Sequence, residues 1–351
     1  MKSIDQQLLV WYKKKNYQFP WRNNTNPYNI WISEIMLQQT QVKTVIPYYR
    51  QWIDKYPNIQ TLSKAKIDTL LLIWQGLGYY KRVHNILHTA DIVQREFNGQ
   101  FPKTYDQLIS LKGIGDYTAS MILSIAYNKN KYIPIDGNIK RIISRLYAIP
   151  PKKQTLTNYK KYTKKYINLD CPGDSIQALM DLGREVCKPQ SPNCTYCPLY
   201  KNCKANNQGN IENFPYKKTT KKVPQYNVVV GLIFKNNKFV ISRRLKGKLL
   251  GNLWELPGGK INGNETKLEC LKREIKEELD IEICNAKNLG IVHHQYSHMK
   301  LHITLIKCRY KSGIAKSLSS QEIKWITYNE KKYFAFPSAT HKLFAIIKHS
   351  K

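Results

Sequence analysis

Four cysteines within 17 residues are the part of this sequence best suited to metal chemistry. They are spaced C-x6-C-x2-C-x5-C and are Cys187, Cys194, Cys197 and Cys203. Four thiolates on so short a segment suit an iron–sulfur cluster or a zinc ion. Structural zinc sites usually combine two closely spaced cysteine pairs, and only Cys194 and Cys197 form such a pair. A [4Fe–4S] cluster, a zinc ion and unrelated buried thiols therefore stay open until the upstream motifs are considered.

Two carboxylates in the N-terminal half stand where acid–base chemistry would need them. Glu34 lies among Trp31, Ile35 and Leu37, whose spacing predicts an apolar helix. Burial there would raise the pKa of the carboxyl group toward that of a usable general acid. The alternative is a carboxylate on a solvent-facing helix surface. The second carboxylate, Asp136, stands in the motif Pro-Ile-Asp-Gly-Asn.

A G-x-G turn, formed by Gly113 and Gly115, joins two helical stretches in the sequence LKGIGDYTA. Glycines permit positive φ angles and leave backbone N–H groups exposed at the start of the next helix. Such N–H groups bind phosphate well, with help from the helix dipole. Taken alone, the pattern is more typical of an ordinary tight turn between helices.

The elements that must hold these residues change along the chain. Residues 1–205 show apolar positions at helical spacing, which predicts an all-α domain. The stretch 206–225 is polar and basic with two prolines, which predicts a linker. Residues 226–351 contain β-rich runs and two helical segments, at about 266–279 and 338–348. This pattern predicts an α/β domain whose strands are mostly antiparallel, so we expect a multidomain protein.

The charge balance indicates a polyanionic partner. Lys and Arg number 57 against 24 Asp and Glu, a formal net charge of +33. Such an excess favours nucleic acid first and an anionic membrane surface second. No apolar run approaches the roughly 18 residues needed to span a bilayer, and the N-terminus lacks a signal-peptide pattern. The other four cysteines have no framework spacing, which predicts a reducing compartment.

Three motifs in a fixed order resemble the helix-hairpin-helix, iron–sulfur DNA glycosylase superfamily. They are the Gly113 turn, the Asp136 motif and the cysteine loop 187–203, and the resemblance covers residues 1–205. It implies that Gly113 and Gly115 grip the DNA backbone, that Asp136 lies in the base-excision pocket and that the cysteines hold a [4Fe–4S] cluster. One departure is Lys112, where the family usually has proline.

Tyr117 separates two branches of that superfamily. The branch that also cleaves the strand has a lysine at this position, whose amine forms a Schiff base with the abasic sugar. A phenol cannot form an imine. The sequence therefore predicts a monofunctional enzyme that removes a base without an efficient lyase step.

Stretches 20–22, 27–42 and 76–80 resemble the MutY-type adenine-DNA glycosylases. The resemblance implies that Glu34 is the catalytic acid, which protonates adenine at N7. It also makes Asp136 the group that stabilises the sugar cation or attacks it transiently. By the same resemblance, Asn138 and Tyr117 would orient the carboxylates, and Arg22 would contact the flipped adenine. Gln39 and Tyr79 would wedge into the duplex, and Thr40 would contact the opposite base.

The second domain matches the Nudix box, G-x5-E-x7-R-E-U-x-E-E-x-G-U, except for Asp280 in place of glycine. Its glutamates, which would share one helix face and could bind magnesium, are Glu274, Glu277 and Glu278. In adenine-DNA glycosylases such a domain reads 8-oxoguanine. We expect Ser297 and His298, in the loop Tyr-Ser-His, to do so here. For the three glutamates the alternative to a magnesium site is a glutamate-rich helix kept for folding, and recognition of the oxidised base should not need magnesium.

Together these features predict a monomeric adenine-DNA glycosylase that acts in base excision repair on double-stranded DNA with A:8-oxoG or A:G mispairs. We expect it in the cytoplasm, at the nucleoid, without a membrane partner. One alternative is an endonuclease III-like bifunctional lyase, which Tyr117 opposes. Another is a Nudix nucleotide hydrolase tethered to DNA, which Asp280 and the carboxylate pair Glu34 and Asp136 oppose.

Overall fold

The protein was analysed as a computed structural model, which describes residues 3–22, 24–216 and 223–348. Its contacts divide the chain into two compact units. The first consists of Met1–Lys64 and Asn85–Thr219, and the second of Ala65–His84 and Thr220–Lys351. No helix within the described ranges is long and apolar enough to cross a membrane.

Helices follow one another through the first 207 residues of the chain, as the apolar periodicity predicts. They are α1 (Ile4–Lys15), α2 (Pro27–Leu37), α3 (Val42–Lys55), α4 (Ile59–Ser63), α5 (Ile67–Trp74), α6 (Lys81–Glu96), α7 (Tyr105–Ser110), α8 (Asp116–Ile125), α9 (Gly137–Tyr147), α10 (Leu156–Thr163), α11 (Pro172–Glu185) and α12 (Lys204–Asn207). Of these, α5 belongs to the second unit, and the division between the units falls within α6.

Helix α2 is buried along almost its whole length. It begins with Pro27 at the first helical position, and the side chain of Asn26 caps it by accepting a hydrogen bond from the backbone N–H of Tyr28 (2.9 Å). Proline and asparagine are both favoured at these positions. Residues 30–36 are all buried, so Glu34 is carried into the interior by its apolar neighbours.

One hydrophobic core of the first unit gathers around α9 and α11, with Ile143 and Leu179 fully buried. Part of the predicted linker packs on this core. Phe214 is buried there, and Nε of Arg145 donates a hydrogen bond to its carbonyl oxygen (3.0 Å). The helical unit therefore extends beyond residue 205, while residues 217–222 of the predicted linker lie outside the described residues.

The second unit contains a mixed sheet. Its strands are β1 (Gln225–Lys235), β2 (Lys238–Arg243), β3 (Trp254–Glu255), β4 (Gly258–Lys260), β5 (Ile281–Tyr296), β6 (Met299–Gly313) and β7 (Ile323–Ile326). Their order is β3-β2-β1-β6-β5, with β4 paired to β1 and β7 to β2. Only the β1–β6 pairing is parallel among the described strand pairs. The predicted α/β fold with mostly antiparallel strands is confirmed.

Two helices cover opposite faces of this sheet. Side chains alternate between the faces of a strand, so Val240 on one side packs with α13 (Lys267–Leu279), while Phe239 and Ile241 on the other side pack with α14 (Ser338–Lys348). The sheet is therefore the middle layer of a three-layer domain.

Residues Ala65–His84 pack with the sheet-containing part of their unit. The side-chain oxygen of Gln75 accepts a hydrogen bond from the backbone N–H of Phe336 (2.9 Å), and the hydroxyl of Tyr80 donates to the carbonyl of the same residue (3.3 Å). Asp68 forms an ion pair with Arg243. The sequence predicted a single boundary at 206–225 and gave no sign that this earlier stretch belongs with the second unit.

Candidate active site and DNA-binding surface

A cleft with about 1420 Å³ of empty space, solvent included, lies in the first unit. Several of the residues singled out from the sequence line it together, namely Arg22, Glu34, Thr40, Tyr117, Asp136 and Asn138. Arg22 comes from the segment before α2, and the others come from α2, from the loop that follows it, and from the starts of α8 and α9. Residues far apart in the sequence are thus brought to one place.

Glu34 is buried in the wall of this cleft, with 8% of its surface exposed. Its Oε2 accepts a hydrogen bond from the hydroxyl of Tyr117 (2.9 Å). Burial raises the pKa of Glu34 to about 7, against the opposing effects of the Tyr117 hydrogen bond and the charge of Arg22. A carboxyl group with this pKa is about half protonated at neutral pH, so it can act as an acid there.

Asp136 caps α9, which fixes the direction of its carboxylate. Its Oδ1 accepts a hydrogen bond from the backbone N–H of Ile139 (2.7 Å), and its Oδ2 accepts one from the side-chain amide of Asn138 (2.9 Å). Burial raises the pKa of Asp136, and these hydrogen bonds oppose the shift because they favour the charged form. The carboxylate is therefore held by the backbone and by Asn138 on one side while it faces the cleft on the other.

Arg22 is fixed by α11 at the wall of the cleft. Its Nη2 donates to both carboxylate oxygens of Asp181 (3.1 Å each), and its Nη1 donates to Gln177. Asp181 is 2% exposed, and Arg22 is nearly as buried. The sequence analysis missed both partners, although a buried aspartate on the apolar face of a helix is itself a signal that a cation lies opposite.

Gln39 and Thr40 follow the end of α2. Gln39 is exposed and adopts a positive φ of 56°, which is uncommon for a residue other than glycine. Thr40 lies next to it on the rim of the cleft. Backbone strain of this kind tends to occur at functional sites, because the surrounding structure must hold it in place.

Tyr79 has the same unusual backbone in the second unit, with a φ of 48°, and its ring is 44% exposed. The loop beneath it is well braced. Nε1 of Trp74 donates to the carbonyl of Gly78 (3.0 Å), and buried Arg82 donates to that carbonyl as well (3.1 Å). The guanidinium carbon of Arg82 lies 5.5 Å from the centre of the Tyr79 ring. An exposed aromatic ring is therefore presented on a rigid turn.

The glycine turn between α7 and α8 is formed as predicted from the sequence. Gly113 has a φ of 86°, and a Cβ atom there would come within 2.8 Å of the Asn85 side chain, so only glycine fits. The hydroxyl of Thr89 donates to the carbonyl of Lys112 (2.7 Å) and holds the turn from behind. Gly115 precedes α8 without a side-chain cap, which leaves the first amides of that helix open to a ligand.

All four cysteines of the loop 187–203 line one cavity with about 380 Å³ of empty space, solvent included. Within the described ranges, no group of three or more His, Cys, Asp or Glu side chains lies close enough together to hold a single metal ion. The four cysteines therefore share one cavity.

Two arginines of α9 hold this cysteine loop. Arg145 is 1% exposed and donates to the carbonyls of Lys188 (2.6 Å) and Pro189 (3.0 Å). Arg141 donates to the carbonyl of Cys187 (2.7 Å) and also to the side-chain oxygen of Asn138 (2.9 Å). Arg141 thus connects the loop with the cleft. The sequence analysis missed both, although two arginines four residues apart on an apolar helix indicate buried polar partners.

In the second unit, Ser297 and His298 form the exposed two-residue turn between β5 and β6. The ring of Tyr296 stacks near that of His298 (6.2 Å between centroids) and lines a cavity with about 830 Å³ of empty space, solvent included. Burial raises the pKa of Tyr296 to about 12, so its hydroxyl stays protonated. Both predicted reading residues are therefore accessible at a hairpin tip.

The glutamates of the Nudix box differ in their surroundings. Arg273 forms ion pairs with Glu265 (2.7 Å), Glu274 (3.0 Å) and Glu277 (3.2 Å). Glu278 is instead half-buried and accepts a hydrogen bond from the backbone N–H of Gly258 (3.0 Å), and desolvation raises its pKa to about 7. Magnesium binding by the glutamates of this helix stays a prediction.

Asp280, which departs from the Nudix pattern, ends α13 with a φ of 57°. Glycine is the usual residue for this left-handed conformation, and aspartate tolerates it better than most. Lys276 and Lys316 form ion pairs with its carboxylate (2.5 and 3.2 Å). The substitution is therefore explained by the local backbone, without a change in the helix.

Comparisons with known proteins agree with this division of the chain. A family described as HhH-GPD superfamily base excision DNA repair protein matches residues 32–166, and the NUDIX domain matches residues 229–345. A protein named adenine DNA glycosylase from Buchnera aphidicola subsp. Schizaphis graminum is 35% identical over 98% of this chain and 99% of its own length.

A Homo sapiens protein of the same name is 28% identical over 97% of this chain and 73% of its own length. Among solved structures, a thermostable thymine-DNA glycosylase aligns with a TM-score of 0.54 and 23% identity. It covers 58% of this chain and 95% of its own. This structural likeness concerns the fold alone.

Proposed function

The chain belongs to the adenine DNA glycosylase family, and from that premise we propose that it excises adenine paired with 8-oxoguanine or guanine in double-stranded DNA. The observation that carries the proposal is the buried Glu34, whose pKa of about 7 suits a general acid, in one cleft with Asp136. The reaction is the first step of base excision repair. It requires the adenine to leave the duplex and enter the cleft.

Glu34 supplies the proton in this mechanism. Its protonated carboxyl group donates to N7 of adenine, which turns the base into a neutral leaving group when the bond between N9 and C1′ breaks. The Tyr117 hydroxyl, which donates to Oε2 at 2.9 Å, leaves Oε1 to carry the transferred proton. After the base has left, the Glu34 carboxylate accepts a proton from the water that attacks C1′.

Asp136 acts on the sugar. Loss of adenine leaves an oxocarbenium ion at C1′, and a nearby carboxylate either stabilises this charge or bonds to C1′ until water replaces it. The hydrogen bonds from Asn138 and from the backbone N–H of Ile139 support this role, because they keep Asp136 oriented and favour its charged form. Arg22, held by Asp181, is proposed to contact the flipped adenine.

DNA contacts are proposed for several exposed groups. The amides at the start of α8, beside Gly113 and Gly115, would bind a backbone phosphate. Gln39 and Tyr79 would fill the space left by the flipped base, and Thr40 would contact the opposite base. Ser297 and His298 would read the oxidised base, for which their exposure at a hairpin tip is suitable.

We further propose that Cys187, Cys194, Cys197 and Cys203 hold a [4Fe–4S] cluster, which serves to fold the surrounding loop. The shared cavity and the arginines that fix the loop support this assignment. Purified protein should be yellow-brown with roughly four irons per chain. Stoichiometric zinc without iron would contradict the assignment.

The decisive experiment is a glycosylase assay on duplexes with A:8-oxoG, A:G and A:C pairs. We expect free adenine from the first two, and strand breaks only after alkali. Strand cleavage without alkali, with a covalent adduct trapped by borohydride, would instead support the lyase alternative. Magnesium-dependent hydrolysis of 8-oxo-dGTP without adenine release would support the Nudix hydrolase.

The proposal also covers the oligomeric state of the protein and its location in the cell. The protein is expected to bind DNA as a monomer, which sedimentation of the complex with one duplex would test. It is proposed to work where its DNA substrate lies, which in a bacterial cell is the nucleoid in the cytoplasm.

A further inference from the structure

Asp116 occupies an unusual place for a carboxylate in a phosphate-binding turn. It follows Gly115 directly and is the first residue of α8, whose opening amides have no side-chain cap. These N–H groups and the helix dipole attract a negative charge. A free carboxylate at this point would repel the phosphate of an incoming DNA strand.

The structure shows how this charge is balanced. Nζ of Lys160, on α10, lies 2.8 Å from Oδ1 of Asp116, and the hydroxyl of Tyr105 donates to the same oxygen (2.8 Å). The side chains of Lys160 and Asp116 are 35% and 34% exposed, so the pair lies at the surface beside the turn. A pair this exposed contributes little to folding, which leaves room for another role.

Lys160 also stands in a markedly basic segment. Residues 151–165 contain six lysines and no aspartate or glutamate. The ion pair with Asp116 fixes this segment next to the glycine turn, within the same unit. At least one positive charge of this segment, that of Lys160, therefore lies directly beside the start of α8.

We propose that Lys160 is a positioning residue for DNA binding, which neutralises Asp116 so that a DNA phosphate can reach the amides of the turn. The proposal rests on the function proposed above only in that this turn binds the DNA backbone. Lys160 acts through Asp116, and Tyr105 keeps the carboxylate turned toward the lysine.

A double-mutant cycle tests this. The variants are Lys160→Met, which removes the charge but keeps the side-chain stem, Asp116→Asn, and both together in the full-length protein. We expect Lys160→Met to weaken binding to an undamaged duplex by about three- to tenfold at low salt. In the Asp116→Asn background the same change should alter affinity by less than about twofold, because no negative charge remains to be neutralised.

Two further measurements separate this role from a structural one. The loss in Lys160→Met should shrink as salt rises from about 0.05 to 0.5 M, because salt screens the repulsion between Asp116 and phosphate. Lys160→Arg should bind as the wild type does. Lys161→Met, on the neighbouring exposed position, is the matched control for loss of one positive charge.

If Lys160→Met weakens binding by the same factor in both backgrounds, Lys160 contacts DNA itself and the proposal is overturned. It is equally overturned if neither background shows a loss. Because affinity for undamaged DNA is measured without base release, these results stay separate from a failure of the glycosylase assay.

Discussion

Glu34 is the residue on which the proposed chemistry depends most directly. Replacing it by glutamine keeps the hydrogen bond with Tyr117 but removes the transferable proton. We expect Glu34→Gln to lower the single-turnover rate of adenine release by about 10²–10⁴-fold or more, with DNA affinity nearly unchanged. Glu212→Gln, on an exposed turn of the same unit, is the control. Adenine release at near wild-type rate by Glu34→Gln would show that another group is the acid.

The pH dependence of the reaction should follow the pKa of Glu34. Since this pKa is about 7, the protonated form disappears above neutral pH and the single-turnover rate should fall there. The hydrogen bond from Tyr117 lowers the pKa of Glu34, so Tyr117→Phe should move the inflection to higher pH. A rate measured from pH 5 to 9 in both proteins tests this, and a shift to lower pH would contradict it.

The same pKa makes the folding stability depend on pH. Glu34 has a pKa of about 7 in the folded protein and its ordinary value of 4.5 in the unfolded chain, so between these pH values only the folded state keeps the proton. The resulting stabilisation is fully present below about pH 4.5 and is lost as pH rises through 7. Glutamine does not titrate, so the free energy of unfolding of Glu34→Gln, measured with urea, should rise relative to that of the wild type by on the order of 3 kcal/mol as the pH is raised from 4.5 to 8. A difference that stays constant with pH would contradict a raised pKa.

Helix α9 supports both the cleft and the cysteine loop, because Asp136 caps its start and its buried arginines donate hydrogen bonds to the loop. Arg145→Met would leave the carbonyls of Lys188, Pro189 and Phe214 without this donor. We expect about 2 kcal/mol or more of lost stability and fewer irons per chain. Iron content and thermal unfolding test this, with Arg95→Met as the control, since Arg95 is exposed and forms an ion pair with Asp91 on its own helix. Unchanged iron content in Arg145→Met would show that the cysteine loop does not need this arginine to hold iron.

The spacing of apolar residues predicts which segments are helices or strands and which of their faces are buried, but not which segments become neighbours. Apolar spacing predicted α2, and with it the burial of Glu34, because local pattern and burial agree there. It could not predict the parallel pairing of β1 with β6, since a strand pattern does not specify its neighbour. Nor could it predict that Arg145 is buried, because its partners are backbone carbonyls that any sequence would supply.

Discrimination between oxidised and ordinary guanine should depend on the hairpin tip of the second unit, although the proposed chemistry lies wholly in the first. Replacing Ser297 and His298 by alanine should leave adenine release from A:G pairs intact. The preference for A:8-oxoG should fall by about 1–3 kcal/mol, as for other lost base contacts. Asn237→Ala, at another exposed hairpin tip of the same sheet, is the control. An unchanged preference would assign lesion reading to Gln39, Thr40 and Tyr79.

The contacts of Ala65–His84 also bear on how such a chain can recombine. Exchanging the C-terminal parts of two relatives at the linker would leave this stretch, with its Tyr79 loop, against a surface inherited from the other parent. Because Asp68 and Arg243 form an ion pair, their identities should be inherited together. Chimeras should therefore work best when residues 65–84 and 223–348 share one ancestor, even though more than a hundred residues separate them in the sequence.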